Sequence, residues 1–70
     1  MKSRIVGLDT TSEYGSLALL EDGQLLEEVE LHGPDGYGHI LFPQLERLMR
    51  RHGWRHELVT GYAAAAGPGS

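Results

Sequence analysis

The sequence predicts an α/β fold in which three antiparallel strands, one helix and a fourth strand build a mixed sheet. Two observations carry this prediction. Residues 4–31 contain three short apolar stretches separated by turn-forming residues, and from residue 39 the apolar spacing changes to that of a helix. A helix followed by another strand is typical of a crossover that returns the chain to the same sheet. We therefore expect the order β-β-β-α-β within one unit spanning residues 1–70, with no second domain.

The first half of the chain reads as a meander of three strands. These strands are predicted over about residues 4–9, 14–21 and 24–31. The first is a buried strand, because Ile5, Val6 and Leu8 follow one another around a single glycine. Asp22-Gly23 between the second and third strands is one of the strongest short-range hairpin signals. The imperfect alternation of apolar and charged residues in the third strand indicates one solvent-exposed face.

The helical segment is predicted over about residues 39–52. Leu41, Leu45 and Leu48 fall on one helical stripe, which identifies the face directed towards the sheet. Pro43 is compatible only with the first turn, so the helix must begin close to the start of this range. Arginines in the last turns complement the negative end of the helix dipole, and Gly53 is a suitable C-terminal stop.

A fourth strand is predicted over about residues 58–65, and the glycine loop Gly67-Pro68-Gly69-Ser70 follows it. Seventy residues without a cysteine make a marginal domain, because a chain of this size buries only about 60% of its unfolded surface. We therefore expect the chain to be part of a larger protein or to be stabilised by a partner. A second copy of the chain could be that partner.

Charge and hydropathy exclude several classes of function. The formal net charge of −4 provides no overall attraction to nucleic acid. Apolar runs are far shorter than the ~18 residues of a membrane-spanning helix, and a strand pattern begins where a signal peptide would have its apolar core. The expected location is the cytoplasm, with no membrane partner.

Two segments could hold an anionic ligand. Asp9, Thr10, Thr11 and Ser12 follow a buried strand, where a carboxylate can hold a hydrated cation and backbone N–H groups can face phosphates. The alternative is that these short oxygen-bearing side chains only satisfy the turn itself. The glycine loop after the fourth strand is the second segment, and it could equally be an ordinary turn.

Other chemistry finds little support. The histidines lack metal-ligand spacing, no serine or cysteine nucleophile motif occurs, and the glycines do not form a phosphate-binding P-loop. Arg47, Arg50, Arg51 and Arg55 form the only basic cluster in this acidic chain. A solvated face is the favoured interpretation of that cluster, and contact with RNA or with an acidic partner is the alternative.

Three motifs resemble one known family. The run 5–13, followed by Ser-Leu-Ala-Leu-Leu at 16–20, is similar to the opening of the TsaB (YeaZ) family, which reads Ile-Asp-Thr-Ser-Thr-Glu before a Ser-Val-Ala-Leu strand. Gly-His at 38–39 and Leu-Phe-Pro at 41–43 resemble that family's Gly-His-Ser-Glu-x-Leu-Leu-Pro helix. The run 66–70 matches the start of its Gly-Pro-Gly-Ser-Phe-Thr-Gly loop. The motifs occur in register, and the resemblance covers the whole chain.

The resemblance implies a half-lobe of the ASKHA fold, the ribonuclease H-like architecture of actin, the sugar kinases and heat-shock ATPases. It also implies a non-catalytic subunit, formerly described as glycoprotease-like and paralogous to TsaD. Such a subunit pairs with TsaD and supports recruitment of TsaE in the bacterial system that makes N6-threonylcarbamoyladenosine in tRNA. We expect tRNA to be contacted only indirectly. No cofactor is expected on this fragment, whereas ATP and magnesium belong to the complex.

The family also implies site residues. Its first-lobe helices pack against TsaD, which assigns a partner interface to Ile40, Leu41, Leu45, Leu48 and Met49. A vestigial phosphate loop would comprise Asp9, Thr10, Thr11, Ser12, Gly67 and Gly69. One departure concerns the helix start, where Ile-Leu replaces the usual Ser-Glu after His39.

A different class of function remains as the alternative, namely a fragment of an ASKHA-type small-molecule kinase that binds ATP. Openings of those kinases usually carry a second glycine after the aspartate, in the pattern Asp-x-Gly-Thr. This sequence has Thr11 at that position, which disfavours close approach of the backbone to a phosphate.

Overall fold

A computed structural model describes residues 2–65 of the chain. It contains four strands, β1 (Arg4–Asp9), β2 (Tyr14–Glu21), β3 (Gln24–His32) and β4 (Gly61–Ala64), and one helix, α1 (Leu41–Arg51). A short 3₁₀ turn, His56–Leu58, lies between α1 and β4. The order of the elements is the β-β-β-α-β order predicted from the sequence.

The four strands form one mixed sheet in the order β3-β2-β1-β4. The pairs β1–β2 and β2–β3 are antiparallel, whereas β1 and β4 are parallel. β1 therefore lies in the interior of the sheet although it is the first element of the chain. The mixed α/β sheet predicted from the sequence is confirmed.

The β2–β3 hairpin turn has the conformation that its sequence predicts. Asp22 has a φ of 52° and Gly23 a φ of 81°. Positive φ at both central residues defines the turn whose twist matches the right-handed twist of the flanking strands, and Asp-Gly is a preferred pair there. The hairpin register contains one irregularity, between Leu19 and Leu20.

The helix begins slightly later than the predicted range and ends where the sequence places its stop. Pro43 is the third residue of α1, within the first turn, where a backbone N–H would have no helical acceptor. At the C-terminus, Gly53 has a φ of 68° and donates its N–H to Arg50 O, while Trp54 N–H donates to Met49 O at 2.9 Å. This is a Schellman cap, and it turns the Trp54 indole towards the core.

The fourth strand is shorter than its predicted range. Leu58 belongs to the 3₁₀ turn rather than to β4. Thr60 is bound to Arg4, the first residue of β1, because Thr60 N–H donates to Arg4 O and Arg4 N–H donates to the Thr60 hydroxyl. Pairing with β1 decides where β4 begins, and the apolar character of the segment alone does not reveal that limit.

One face of the sheet packs against α1 and forms the core. Val6, Leu17, Leu19 and Leu48 are the most completely buried side chains. Leu31, Leu45, Met49 and Trp54 complete the cluster. Within residues 2–65, no helix has the length and apolar character needed to cross a membrane.

Candidate functional site

The turn after β1 uses its aspartate internally. The Asp9 carboxylate accepts hydrogen bonds from the Thr11 hydroxyl at 2.8 Å and from the Thr11 N–H at 3.1 Å. These two donors hold the pKa of Asp9 below its ordinary value. The carboxylate therefore closes the local turn, as short polar side chains commonly do in such turns.

Tyr37, in the loop before α1, is hydrogen-bonded to this turn. The Tyr37 hydroxyl donates a 2.6 Å hydrogen bond to Ser12 O, and Gly33 N–H donates to Glu13 O. Burial raises the pKa of Tyr37, and the nearby charges of Asp9 and Glu13 act in the same direction. The turn is thus linked to the segment that enters α1, since Leu41 N–H donates to Tyr37 O.

Beside this turn lies an open cavity of about 470 Å³. Its lining includes the carboxylates of Asp9, Glu28 and Glu30 and contains no lysine or arginine among the described residues. Carboxylates repel a bare phosphate, so these walls do not provide a direct phosphate site. In the part of the chain that the structure covers, no group of three or more histidine, aspartate or glutamate side chains could hold a metal ion.

The structure describes only part of the predicted vestigial phosphate loop. Asp9, Thr10, Thr11 and Ser12 form one exposed or half-exposed turn, as expected from their positions. Gly67 and Gly69 lie outside the described residues. The contacts of Asp9 with Thr11 favour the structural interpretation of the turn.

The residues predicted for a partner interface divide between core and surface. Leu45, Leu48 and Met49 are at most 4% exposed, because they form the stripe of α1 that packs on the sheet. Ile40 and Leu41 are half-buried at the start of the helix. Partner contact through α1 remains a prediction, but the three buried side chains support the fold from within and are not available to a partner.

The exposed apolar side chain of α1 is Phe42, which is 67% exposed. Phe42 belongs to the wide apolar arc of the helical segment, but it is not among the residues predicted for the partner interface. A signal was available, because the residues four and eight positions further along, Glu46 and Arg50, are charged. Phe42 therefore shares a flank of the helix with charged residues rather than with the leucine stripe.

The basic cluster is not uniform. Arg51 is bound to Glu27 of β3, with its Nη2 2.8 Å from the carboxylate, and His52 Nε2 lies 2.8 Å from the other oxygen of the same group. The bonds from Arg51 and then His52 hold the pKa of Glu27 below its ordinary value. This contact attaches the end of α1 to the edge strand. Arg47, Arg50 and Arg55 have no ion-pair partner within residues 2–65.

Comparison with known proteins gives a consistent result. No protein-family model matches the chain, and no curated protein matches it significantly. Among solved structures, YeaZ from Pseudomonas aeruginosa is similar over 97% of this chain, with 31% sequence identity and a TM-score of 0.80. The chain is therefore similar to YeaZ in sequence and fold. A second structure, described as an uncharacterized protein with similarity to peptidase YeaZ from Pseudomonas aeruginosa, matches over 97% of the chain with 31% identity and a TM-score of 0.81.

The similarity to YeaZ confirms the family resemblance seen in the sequence and the assignment to an ASKHA-like fold. The chain spans about a third of the length of these two proteins, 31% of one and 32% of the other.

Proposed function

We propose that the chain is the N-terminal part of a TsaB-type scaffold subunit that pairs with TsaD and supports TsaE recruitment in tRNA threonylcarbamoylation. The similarity to YeaZ across 97% of the chain is the observation that carries this proposal. The proposed subunit acts in the cytoplasm and catalyses no reaction itself. Any ATP and magnesium would act at the level of the complex, and tRNA would be reached through the partners.

The contact with TsaD is proposed for the exposed side of α1. Phe42 presents a large apolar surface to solvent, and an aromatic side chain of this kind contributes strongly when a partner buries it. Ile40 and Leu41 lie next to it and retain partial exposure. The same apolar surface could also pair with a second copy of the chain in the absence of TsaD.

The kinase alternative receives less support. Its nucleotide would need the turn after β1 to face phosphates, yet Asp9 is engaged by Thr11 and the adjacent cavity is lined by carboxylates. Turnover of ATP by the isolated intact protein would support that alternative.

Replacing Phe42 with aspartate tests the interface. The Phe42→Asp variant should lose co-purification with TsaD, because a charge would enter the centre of the apolar contact. Tyr14→Asp is the matched control, since Tyr14 is 66% exposed and alternation along β2 places it on the sheet face opposite α1. Both variants should keep the circular dichroism spectrum of the parent. Pairing that survives in a folded Phe42→Asp variant would place the interface elsewhere.

A reconstitution tests the role in the pathway. With ATP and a threonylcarbamoyl donor supplied, TsaD, TsaE and tRNA together with the intact protein should form threonylcarbamoyladenosine, and omission of the protein should abolish product formation. Equal product in its absence would refute the scaffold role, even if the protein binds TsaD.

A further inference from the structure

The loop between β3 and α1 contains an Asp-Gly pair, Asp35-Gly36, and a second such pair, Asp22-Gly23, forms the β2–β3 hairpin turn. An aspartate followed by glycine is especially prone to spontaneous rearrangement, because glycine has no side chain to hinder attack by its own nitrogen on the aspartate. We propose that Asp35 is a site of this modification and is converted to isoaspartate in the folded protein. The proposal is independent of the scaffold role.

The reaction requires only the chain itself and water. The Gly36 nitrogen attacks Cγ of the protonated Asp35 side chain, a C–N bond forms, and the N–H proton leaves with the carboxyl hydroxyl as a water molecule. Water then adds to either carbonyl of the resulting cyclic succinimide. Addition at the main-chain carbonyl breaks its bond to the Gly36 nitrogen, so the chain now runs through Cγ. The product has the mass of the parent and an additional methylene group in its backbone.

The surroundings of Asp35 leave its side chain able to reach that nitrogen. Asp35, Pro34 and Gly36 are all exposed. Within residues 2–65, the Asp35 carboxylate takes part in no hydrogen bond or ion pair. The Gly36 N–H donates to Gly33 O at 3.0 Å and closes a β-turn, and this bond must open before the attack. Opening an exposed turn in a loop costs little free energy compared with global unfolding.

The Asp-Gly pair of the hairpin is held more firmly. Asp22 Oδ1 accepts a hydrogen bond from Ser3 N–H at 2.8 Å, and Asp22 N–H donates to Ser3 O at 2.8 Å. These bonds restrain both the carboxylate and the backbone of Asp22, and the turn connects two paired strands. Attack by the Gly23 nitrogen requires the loss of these contacts, so the same dipeptide should react more slowly in the hairpin than in the loop.

Isomerisation of Asp35 has a structural consequence for the turn after β1. The additional methylene group lies between Gly33 and Tyr37, the two loop residues that contact that turn. Gly33 N–H donates to Glu13 O at 2.7 Å, and the Tyr37 hydroxyl donates to Ser12 O at 2.6 Å. Because the longer backbone changes the spacing of the two donors, we expect their hydrogen bonds to open more often in the isomerised protein.

Ageing of the intact protein at mildly acidic pH, with and without urea, tests the proposal. Cleavage after glutamate separates the two Asp-Gly pairs, because Glu27, Glu28 and Glu30 lie between them. Isoaspartate in each peptide is measured by methyl transfer from S-adenosylmethionine with an L-isoaspartyl methyltransferase. In the folded protein it should accumulate at Asp35 at least about tenfold faster than at Asp22, because the hairpin needs the larger opening. In urea the two rates should agree within about twofold, because neither turn persists in the unfolded ensemble.

Asp35→Glu is the matched variant, because it keeps the charge while glutamate would have to close a larger ring, which forms far more slowly. The aged variant should contain no rearranged residue at position 35. It should also keep the hydrogen-exchange rate of the Gly33 N–H, measured by NMR, that the fresh protein has. In the aged and isomerised parent, this N–H should exchange at least about fivefold faster. Circular dichroism checks that all samples are folded.

Three results would overturn the proposal. Equal accumulation of isoaspartate at Asp35 and Asp22 in the folded protein would show that the fold does not select the site. Isoaspartate that forms at Asp35 in urea but not in the folded protein would show that the loop turn is protected. Unchanged exchange of the Gly33 N–H in the isomerised protein would refute the consequence for the turn after β1.

Discussion

At the scale of single residues, Gly15 is the most confined glycine among residues 2–65. A Cβ atom at this position would overlap the carbonyl oxygen of Asp9 and would lie 2.8 Å from the Tyr37 hydroxyl. Gly33 is similarly confined, because a Cβ atom added there would lie 2.7 Å from Gly36 O and 3.0 Å from the Tyr37 ring. The turn after β1 and the loop before α1 can therefore approach each other only because these positions lack side chains.

Gly15→Ala should lower the free energy of unfolding by about 1–3 kcal/mol, since the methyl group forces the backbone of the turn apart. Thermal and urea unfolding of the intact protein measure the loss. Gly38→Ala serves as the control, because an added Cβ there meets no atom within 4 Å. Equal stability of Gly15→Ala and the parent would show that the turn has room to adjust.

The sequence-based predictions were most accurate where the backbone conformation at one position restricts which residue can occupy it. Asp22-Gly23 and Gly53 were placed correctly, because positive φ strongly limits the choice of residue. They were less accurate for α1. Periodicity placed Leu45 and Leu48 on the stripe that faces the sheet, as the structure has them, but it did not show that they are buried too completely to remain available to a partner. That outcome depends on how the helix sits on the sheet, and this contact involves residues far apart in sequence.

At the scale of elements, the contact between β3 and the end of α1 depends on Glu27. This carboxylate receives hydrogen bonds from Arg51 and contacts His52, so one side chain joins an edge strand to a helix terminus. The neighbouring Glu28 points to the opposite face of β3 and has no ion pair within residues 2–65.

The depressed pKa of Glu27 predicts a pH dependence of stability. Because its pKa is lower in the folded state than in the unfolded state, the ionised form favours folding. This contribution is complete above the unfolded pKa, near 4.5, and disappears as pH falls through the folded pKa. Glu27→Gln should therefore reduce the loss of stability below that pH, as measured by urea unfolding at several pH values. Glu28→Gln is the control, and an identical pH profile for Glu27→Gln and the parent would contradict the prediction.

At the scale of the whole molecule, the sheet has two outer strands of different character among the described residues. β3 carries three glutamates, and like charges discourage pairing between edges. β4 reads Gly-Tyr-Ala-Ala and carries none. Within residues 2–65 the core consists of eight buried side chains, while Phe42, Tyr62 and Leu25 are more than half exposed. The chain therefore combines a small core with one edge that offers no electrostatic protection.

We expect the 70-residue chain to self-associate through β4 at micromolar concentrations. Ala63→Lys should shift it towards monomer, because lysine on an edge strand opposes pairing with another chain. Sedimentation velocity measures the change, and Gln24→Lys on β3 adds the same charge to the other edge as a control. A monomer with a concentration-independent, cooperative thermal transition would refute the expectation.

The interior position of β1 also has a consequence for the order of folding. The β2–β3 hairpin can form from neighbouring segments, but the Arg4 N–H meets the Thr60 hydroxyl across 56 positions of sequence. Closing so long a loop costs more conformational entropy than closing a hairpin. During synthesis β1 can therefore pair with β2 early, whereas its other edge stays uncovered until β4 has been made. Until then the sheet has two exposed edges, β3 and β1, and chaperones or other chains would meet the protein in that state.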